Sequence, residues 1–282
     1  MSNQTQFDKV EILGVDIDLV NRVEAVEYVI AAAQPGRPAV YVVKPYVEFL
    51  DRSYHDLEVQ NLLNNAELTI ADGIAVVWAA AYLYAGPRTT WRFLKTVAQI
   101  VVAPHELLWP LTDRAAGTNF TWPLLQAAAR ANLRVALVGT PRHSTLDDTA
   151  AAIKQRMPAI NLVLTHTGTD PHRQPGRQSR AWLDQLALQL RDARADIILL
   201  GLGFPRQEYA ASYLQAQLAH GVLIGEGGTF DYREFGGHQA KAAAWIQRSG
   251  LEWLWRLVLE PRRLRRQLAI PRFMWRVWRS RH

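Results

Sequence analysis

LTIADGIAVVWAA, residues 68–80, is the stretch on which the reading of this chain turns. Leu68, Ile70 and Ala71 form a short apolar run that stops at Asp72-Gly73, and an alanine- and valine-rich helical pattern begins at Ile74. A strand that ends in Asp-Gly and feeds a buried helix puts one carboxylate at the carboxyl edge of a sheet. That edge is where α/β proteins hold ligands. Gly73 allows a tight turn and close approach of another molecule to the backbone. The same aspartate would equally serve as a helix cap, accepting the first free N–H groups.

Outward from this unit, strands alternate with helices. Before it, residues 10–19 alternate as an opening strand or hairpin, and 22–33 read as a helix ended by Pro35-Gly36. The β-branched run 39–43 stops at Lys44-Pro45-Tyr46, and 47–63 has a helical pattern. After it, Gly117-Thr118-Asn119 precedes a helix over 122–131, and a strand over 134–138 ends at Gly139-Thr140-Pro141. Helix 144–156, strand 161–165, a polar loop over 167–177 and helix 179–193 follow. Strand 196–200 runs into GLGFPRQE at 201–208, and strand 221–224 opens into GEGGTFD at 225–231. The pattern predicts an α/β fold: a Rossmann-like, mostly parallel sheet with helices on both faces. We divide the chain into a body over 1–244 and a C-terminal helical appendage over 245–282. Within the body, 84–110 reads as an insertion, apolar but broken by Arg92 and Lys95, that packs on the body, covers a site or lies in a membrane interface; packing on the body is the expected one of the three.

Composition narrows the classes. The 282 residues, 49% hydrophobic, suffice for one large domain with appendages. There is no cysteine, hence no disulfide framework and no thiolate metal site. No basic start followed by an apolar stretch suggests a signal peptide, and no apolar run of about 18 residues suggests a spanning helix. The net charge of +6 is unevenly placed. Residues 248–282 hold ten arginines against Glu252 and Glu260, a charge of +8, which leaves −2 on the rest. Trp253, Trp255, Trp275 and Trp278 share that basic tail.

Several familiar chemistries fail on spacing. The third glycine of a dinucleotide fingerprint beginning at Gly201 would fall on Arg206. There is no Gly-Lys-Ser/Thr phosphate loop, no pair of histidines at helical zinc spacing and no Gly-x-Ser-x-Gly elbow. Asp16-x-Asp18 has the form by which some nucleotide-sugar enzymes hold a divalent metal. Two aspartates on one strand face read as a solvated edge, because hard cations need several oxygen ligands, so no metal site is expected. What remains is a set of strand ends and turns bearing glycine and polar groups: Asp72, Arg114 with Gly117-Thr118-Asn119, Gly139-Thr140, Arg206-Gln207-Glu208, and Gly225–Asp231 with Gly227 and Gly228 inside it. Glycine-rich turns at helix N-termini suit phosphate. Together they point to a nucleotide- or phosphate-bearing ligand.

ADGIAVVWAA, RAAGTNF, GLGFPRQE, GEGGTFDY and AAAWIQRSGLEWLWRLVLEPRRLRR resemble the WecG/TagA/CpsF family of bacterial glycosyltransferases. ILGVDIDLV and VYVVKPYVEFL extend the resemblance over nearly the whole chain. It implies an inverting transfer of an N-acetylmannosamine-type, N-acetylmannosaminuronyl or glucosyl unit from a UDP-sugar donor to a polyprenyl-diphosphate-linked sugar acceptor. The setting would be cell-surface polysaccharide or wall-polymer synthesis, with no cofactor and no metal. By the same resemblance Asp72 is the general base, Arg114 and Gln207 contact substrate, and Arg256, Arg263 and Arg266 reach the diphosphate. Lys44 and Tyr46 stand where members commonly read Thr-Pro-Asn, so they join the expected substrate contacts and bear on the choice of sugar. The 84–110 segment is also longer than the family's usual link.

The tail carries a second expectation. At 100° per residue, Leu254, Leu257, Val258, Leu264 and Leu268 share one face and Arg256, Arg263 and Arg266 the other. A basic amphipathic segment with tryptophans suits an anionic membrane surface. The expected location is therefore cytoplasmic, peripheral on the inner face of the cell membrane, with no nucleic acid as partner and homo-oligomerisation left open. The alternative from another class is a non-catalytic lipid- or nucleic-acid-binding protein that retains the fold.

Overall fold

The computed structural model describes residues 7–84, 86–87, 89–111, 117–174, 176–243, 246, 255 and 269–280. Six strands form one wholly parallel sheet: β3 (Val40–Val43), β4 (Leu68–Thr69), β5 (Arg134–Gly139), β6 (Asn161–Thr167), β7 (Ile197–Gly201) and β8 (Val222–Gly225). Their spatial order is β4-β3-β8-β7-β5-β6. The α/β, Rossmann-like expectation holds. Ahead of the sheet, β1 (Lys9–Ile12) and β2 (Val15–Asp18) make an antiparallel hairpin. Its two-residue turn, Leu13-Gly14, has positive φ at both positions, the backbone twist that such a turn requires.

Side-chain alternation along the strands creates two cores. Tyr41, Val43, Ala136, Val138, Ile198 and Leu200 face one layer, while Val40, Val42, Val135, Leu137, Ile197 and Leu199 face the other. The first layer holds the hairpin, α2 (Val47–Ser53), α3 (Leu57–Asn64), α4 (Ile74–Tyr84), α5 (Thr90–Val102), α8 (Arg180–Asp192) and α9 (Arg206–Gln217). The second holds α1 (Arg22–Ala32), α6 (Gly117–Arg130) and α7 (Leu146–Arg156). A last helix, α10 (Ala269–Arg279), inserts Ala269, Phe273 and Val277 into the first layer against α2 and α4.

The deciding stretch supplies the most deeply covered helix. Every residue of α4 from Ala75 to Tyr82 is buried. A helix apolar on all sides needs cover on all sides, and α4 finds it in β1, α5 and α10.

Three expectations change. The 47–63 helix is two, because Asp56 caps a new start by accepting from the Val59 N–H at 3.2 Å. The helix expected at 122 begins at Gly117, which carries Thr118 and Asn119 into its first turn. Asp18 does not lie on a solvated edge. It is fully buried, and its Oδ2 accepts from the Thr69 N–H at 2.7 Å, tying the hairpin to β4. Burial pushes its carboxyl above the usual range.

Candidate active site

The loops after β3 and β8 leave these neighbouring strands towards opposite layers. Lys44-Pro45-Tyr46 leads to α2, while the loop after β8 buries Phe230 and Phe235 in the second layer. Such a divergence opens a crevice at the carboxyl edge. The turn after β4 lines it from the side. The Ile70 N–H donates to the Val43 carbonyl at 2.9 Å, and the Asp72 N–H to the Pro45 carbonyl at 3.1 Å. Asp72 is half-buried. Gly73, with φ of 89°, is the residue immediately before the helix, and its carbonyl accepts from Val77. Asp72 therefore stands one position outside the N-cap, and a Cβ at Gly73 would meet open space.

Lys44 is buried, and its ammonium lies 2.9 Å from Oε2 of Glu226, the first residue after β8. The Phe120 ring packs beneath that ammonium at 5.1 Å. The Thr121 hydroxyl donates to the same Glu226 oxygen at 2.7 Å. The first turns of α6 are thereby fastened to the β3 and β8 edges. Within them Thr118 is buried, and Asn119 accepts from Lys241 Nζ at 2.8 Å. Tyr46, partly buried, donates its hydroxyl to Glu48 at 2.6 Å.

Gln207 closes the arrangement from α9. Its Oε1 accepts from the Gly227 N–H at 2.9 Å and the Gly203 N–H at 3.2 Å, while its Nε2 donates to Glu208 at 2.8 Å. The loops after β7 and β8 are thus held by one amide. A Cβ at Gly225 would lie 2.5 Å from Gln207 Nε2, so the strand end has to be glycine for the amide to reach. Burial pushes the neighbouring Glu208 carboxyl up to about 7. Further along, Asp231 Oδ1 accepts from the Arg142 N–H at 2.8 Å, and Gly228 lies against the same carboxylate. Towards β6 the edge widens into an open cleft of about 440 Å³ lined by Arg173, Gln174, Gly176 and Arg206. Burial and the nearby Arg173 charge lower the Arg206 pKa.

A continuous chain of contacts therefore joins Asp72, the Lys44-Pro45-Tyr46 turn, Glu226, Gly227 and Gln207. Thr118 and Asn119 border it through α6, and Asp231 with Gly228 sits on the adjoining loop. Arg114, Arg256, Arg263 and Arg266 lie outside the described residues, as does most of the expected basic face of the tail. Thr121, Arg142 and Lys241 are partners that sequence reasoning passed over, and Glu226, inside the 225–231 stretch, was given no role of its own. The one signal for Glu226 was its place between two glycines at a strand end, and nothing local pairs it with Lys44. Among the described residues no group of three or more His, Asp or Glu side chains is placed to hold a metal ion. Nor is any described helix long and apolar enough to cross a membrane.

Comparison with known proteins gives the family. The family described as "Glycosyl transferase WecG/TagA/CpsF family" matches residues 10–101 and 94–282. A Staphylococcus aureus protein named N-acetylglucosaminyldiphosphoundecaprenol N-acetyl-beta-D-mannosaminyltransferase is 24% identical over 270 residues, covering 95% of this chain and 92% of that one. A Bacillus spizizenii protein of the same name is 29% identical over 165 residues, 58% of this chain and 59% of its own.

Proposed function

Because this chain belongs to the WecG/TagA/CpsF family of glycosyl transferases, we propose that it moves an N-acetylmannosamine-type or related sugar from a UDP-sugar to a polyprenyl-diphosphate-linked sugar. The observation that carries the reading is the position of Asp72. It is a half-buried carboxylate outside its helix cap, at the carboxyl edge, bound through its backbone to the turn after β3. The names of the relatives support a lipid-linked N-acetylglucosamine diphosphate as acceptor.

The chemistry is a single displacement. The acceptor hydroxyl oxygen bonds to the anomeric carbon from the face opposite the diphosphate, the bond from that carbon to the β-phosphate oxygen breaks, and its electron pair leaves with UDP. The configuration inverts. Asp72 takes the hydroxyl proton as the new bond forms, a contribution of ~10²–10⁴ in rate. The departing diphosphate needs cations and N–H donors aimed at it. We assign that work to Arg114, Arg256, Arg263 and Arg266, with the exposed backbone of Gly228 and the Arg173–Arg206 cleft adding positive potential to the same edge. Lys44 contributes through Glu226, holding the crevice floor, and Tyr46 and Asn119 border the sugar. The setting is the inner membrane face, in wall-polymer or surface-polysaccharide synthesis, with the basic tail on anionic lipid.

The test offers a panel of UDP-sugars and a synthetic polyprenyl-diphosphate N-acetylglucosamine, with the product read by mass spectrometry. UDP-N-acetylmannosamine should give a disaccharide-lipid and free UDP. A folded protein that transfers none of the sugars, and hydrolyses none, would leave only a binding role.

A further inference from the structure

We infer that the outer face of α5, together with the tryptophans of α10, is a docking surface for an anionic lipid bilayer. α5 is the helix of the 84–110 insertion. Its inner face packs on α4: the Trp78 indole N–H donates to Thr96 at 3.0 Å, and Phe93 meets the edges of Trp78 and Tyr82. Projected at 100° per residue, Phe93, Thr96, Val97 and Ile100 form this inner side, while Trp91, Leu94, Ala98, Val101 and Val102 gather on the opposite one. The opposite side is bare: Trp91 is 76% and Val102 83% exposed. A helix that buries one apolar face and leaves a second uncovered marks an interaction surface.

α10 extends the patch. Trp278 lies 5.7 Å from the Phe93 ring, and both Trp275 and Trp278 are exposed. Arg272 and Arg276 bind the Asp51 carboxylate of α2, so the orientation of α10 is fixed with its tryptophans outward. Arg279 stacks over Trp275 at 4.9 Å.

Charge selects the occupant. Neither α5 nor α10 contains an acidic residue, and Lys95 and Arg279 are exposed beside the apolar side chains. A second copy meeting this face would bring like charges together, whereas phosphate headgroups complement them. Tryptophan beside arginine suits the headgroup boundary, where one end of the side chain is apolar and the other wet. At 13 residues, α5 is about 20 Å long, the proportion of a helix lying in the membrane plane. The inference rests on the proposed lipid-linked acceptor for its purpose, since docking here would bring the crevice to a substrate confined to the membrane.

The experiment uses the full chain and vesicles of phosphatidylglycerol with phosphatidylethanolamine, without substrate. Trp91→Ser, Leu94→Ser and Val102→Ser together should weaken vesicle binding about tenfold or more. Transfer to a short water-soluble acceptor should be unchanged, and transfer to acceptor embedded in vesicles should fall. Lys95→Glu with Arg279→Glu should weaken binding to these vesicles and leave weak binding to purely zwitterionic ones as it was. Wild-type affinity in the triple serine variant overturns the inference. So does a wild-type dimer that the variant dissociates with no change in vesicle binding, which would give the face to a second copy. Loss of transfer to the soluble acceptor in the wild type would count against the transferase reading alone, because vesicle binding is scored separately.

Discussion

The main-chain N–H of Asp72 donates to the Pro45 carbonyl across 3.1 Å, which makes the turns closing β3 and β4 a single unit. The carboxylate is therefore carried on a braced backbone, next to the loop that also bears Lys44. Asp72→Asn keeps the size and the main-chain bond but removes the proton acceptor. Turnover should drop by about a hundredfold or more, with donor affinity and melting temperature near wild type. Wild-type turnover in the purified variant would move the base elsewhere.

Lys44 and Glu226 form an ion pair with both side chains almost wholly buried. Removing one partner leaves an uncompensated charge, which costs about 3–5 kcal/mol, whereas removing both with similar volumes is far milder. Lys44→Met should thus be strongly destabilised in urea, and Lys44→Met with Glu226→Gln should recover most of the loss. If the two changes are simply additive, the pair is not the clasp described above.

Glu208 gives a pH signature. Its carboxyl is fully buried and pushed up to about 7, against an ordinary value near 4.5. The folded state holds the proton more tightly than the unfolded chain, so stability from this group is complete below about pH 4.5. It declines as pH rises and is lost above about 7. Each pKa unit corresponds to about 1.4 kcal/mol, so the decline is on the order of 3 kcal/mol. Glu208→Gln, which can still accept from Gln207, should flatten the fall in unfolding free energy between about pH 4.5 and about pH 7, the limits set by that shift. An unchanged slope would assign the titration to another group.

Asp18 is predicted to be a brace. Asp18→Ala strands the buried Thr69 N–H and should cost about 1–3 kcal/mol in stability. Asp16, on the same strand, should be replaceable by alanine with little effect. Chelation by EDTA should change neither the melting temperature nor transfer. A loss restored by magnesium or manganese would make the aspartates ligands after all.

The sequence by itself determined the alternation of strands and helices, because periodicity is a property of neighbouring residues. Asp72 at a strand end and glycines at the other strand ends were legible for the same reason. The 47–63 break was harder to see, since one capping aspartate, Asp56, outweighs an apolar pattern that runs through it. Which side chains meet was decided only by the tertiary structure. Lys44 and Glu226 are 182 positions apart and become neighbours because β3 pairs with β8, with Val42 beside Ile224. Asp18 looked like a solvated edge until β4 arrived beside it with an N–H to satisfy. The bare face of α5 could not be told from a core face, because an apolar stripe says that a surface avoids water and not what covers it. Strand order and burial are long-range outcomes of packing, and no local pattern encodes the partner.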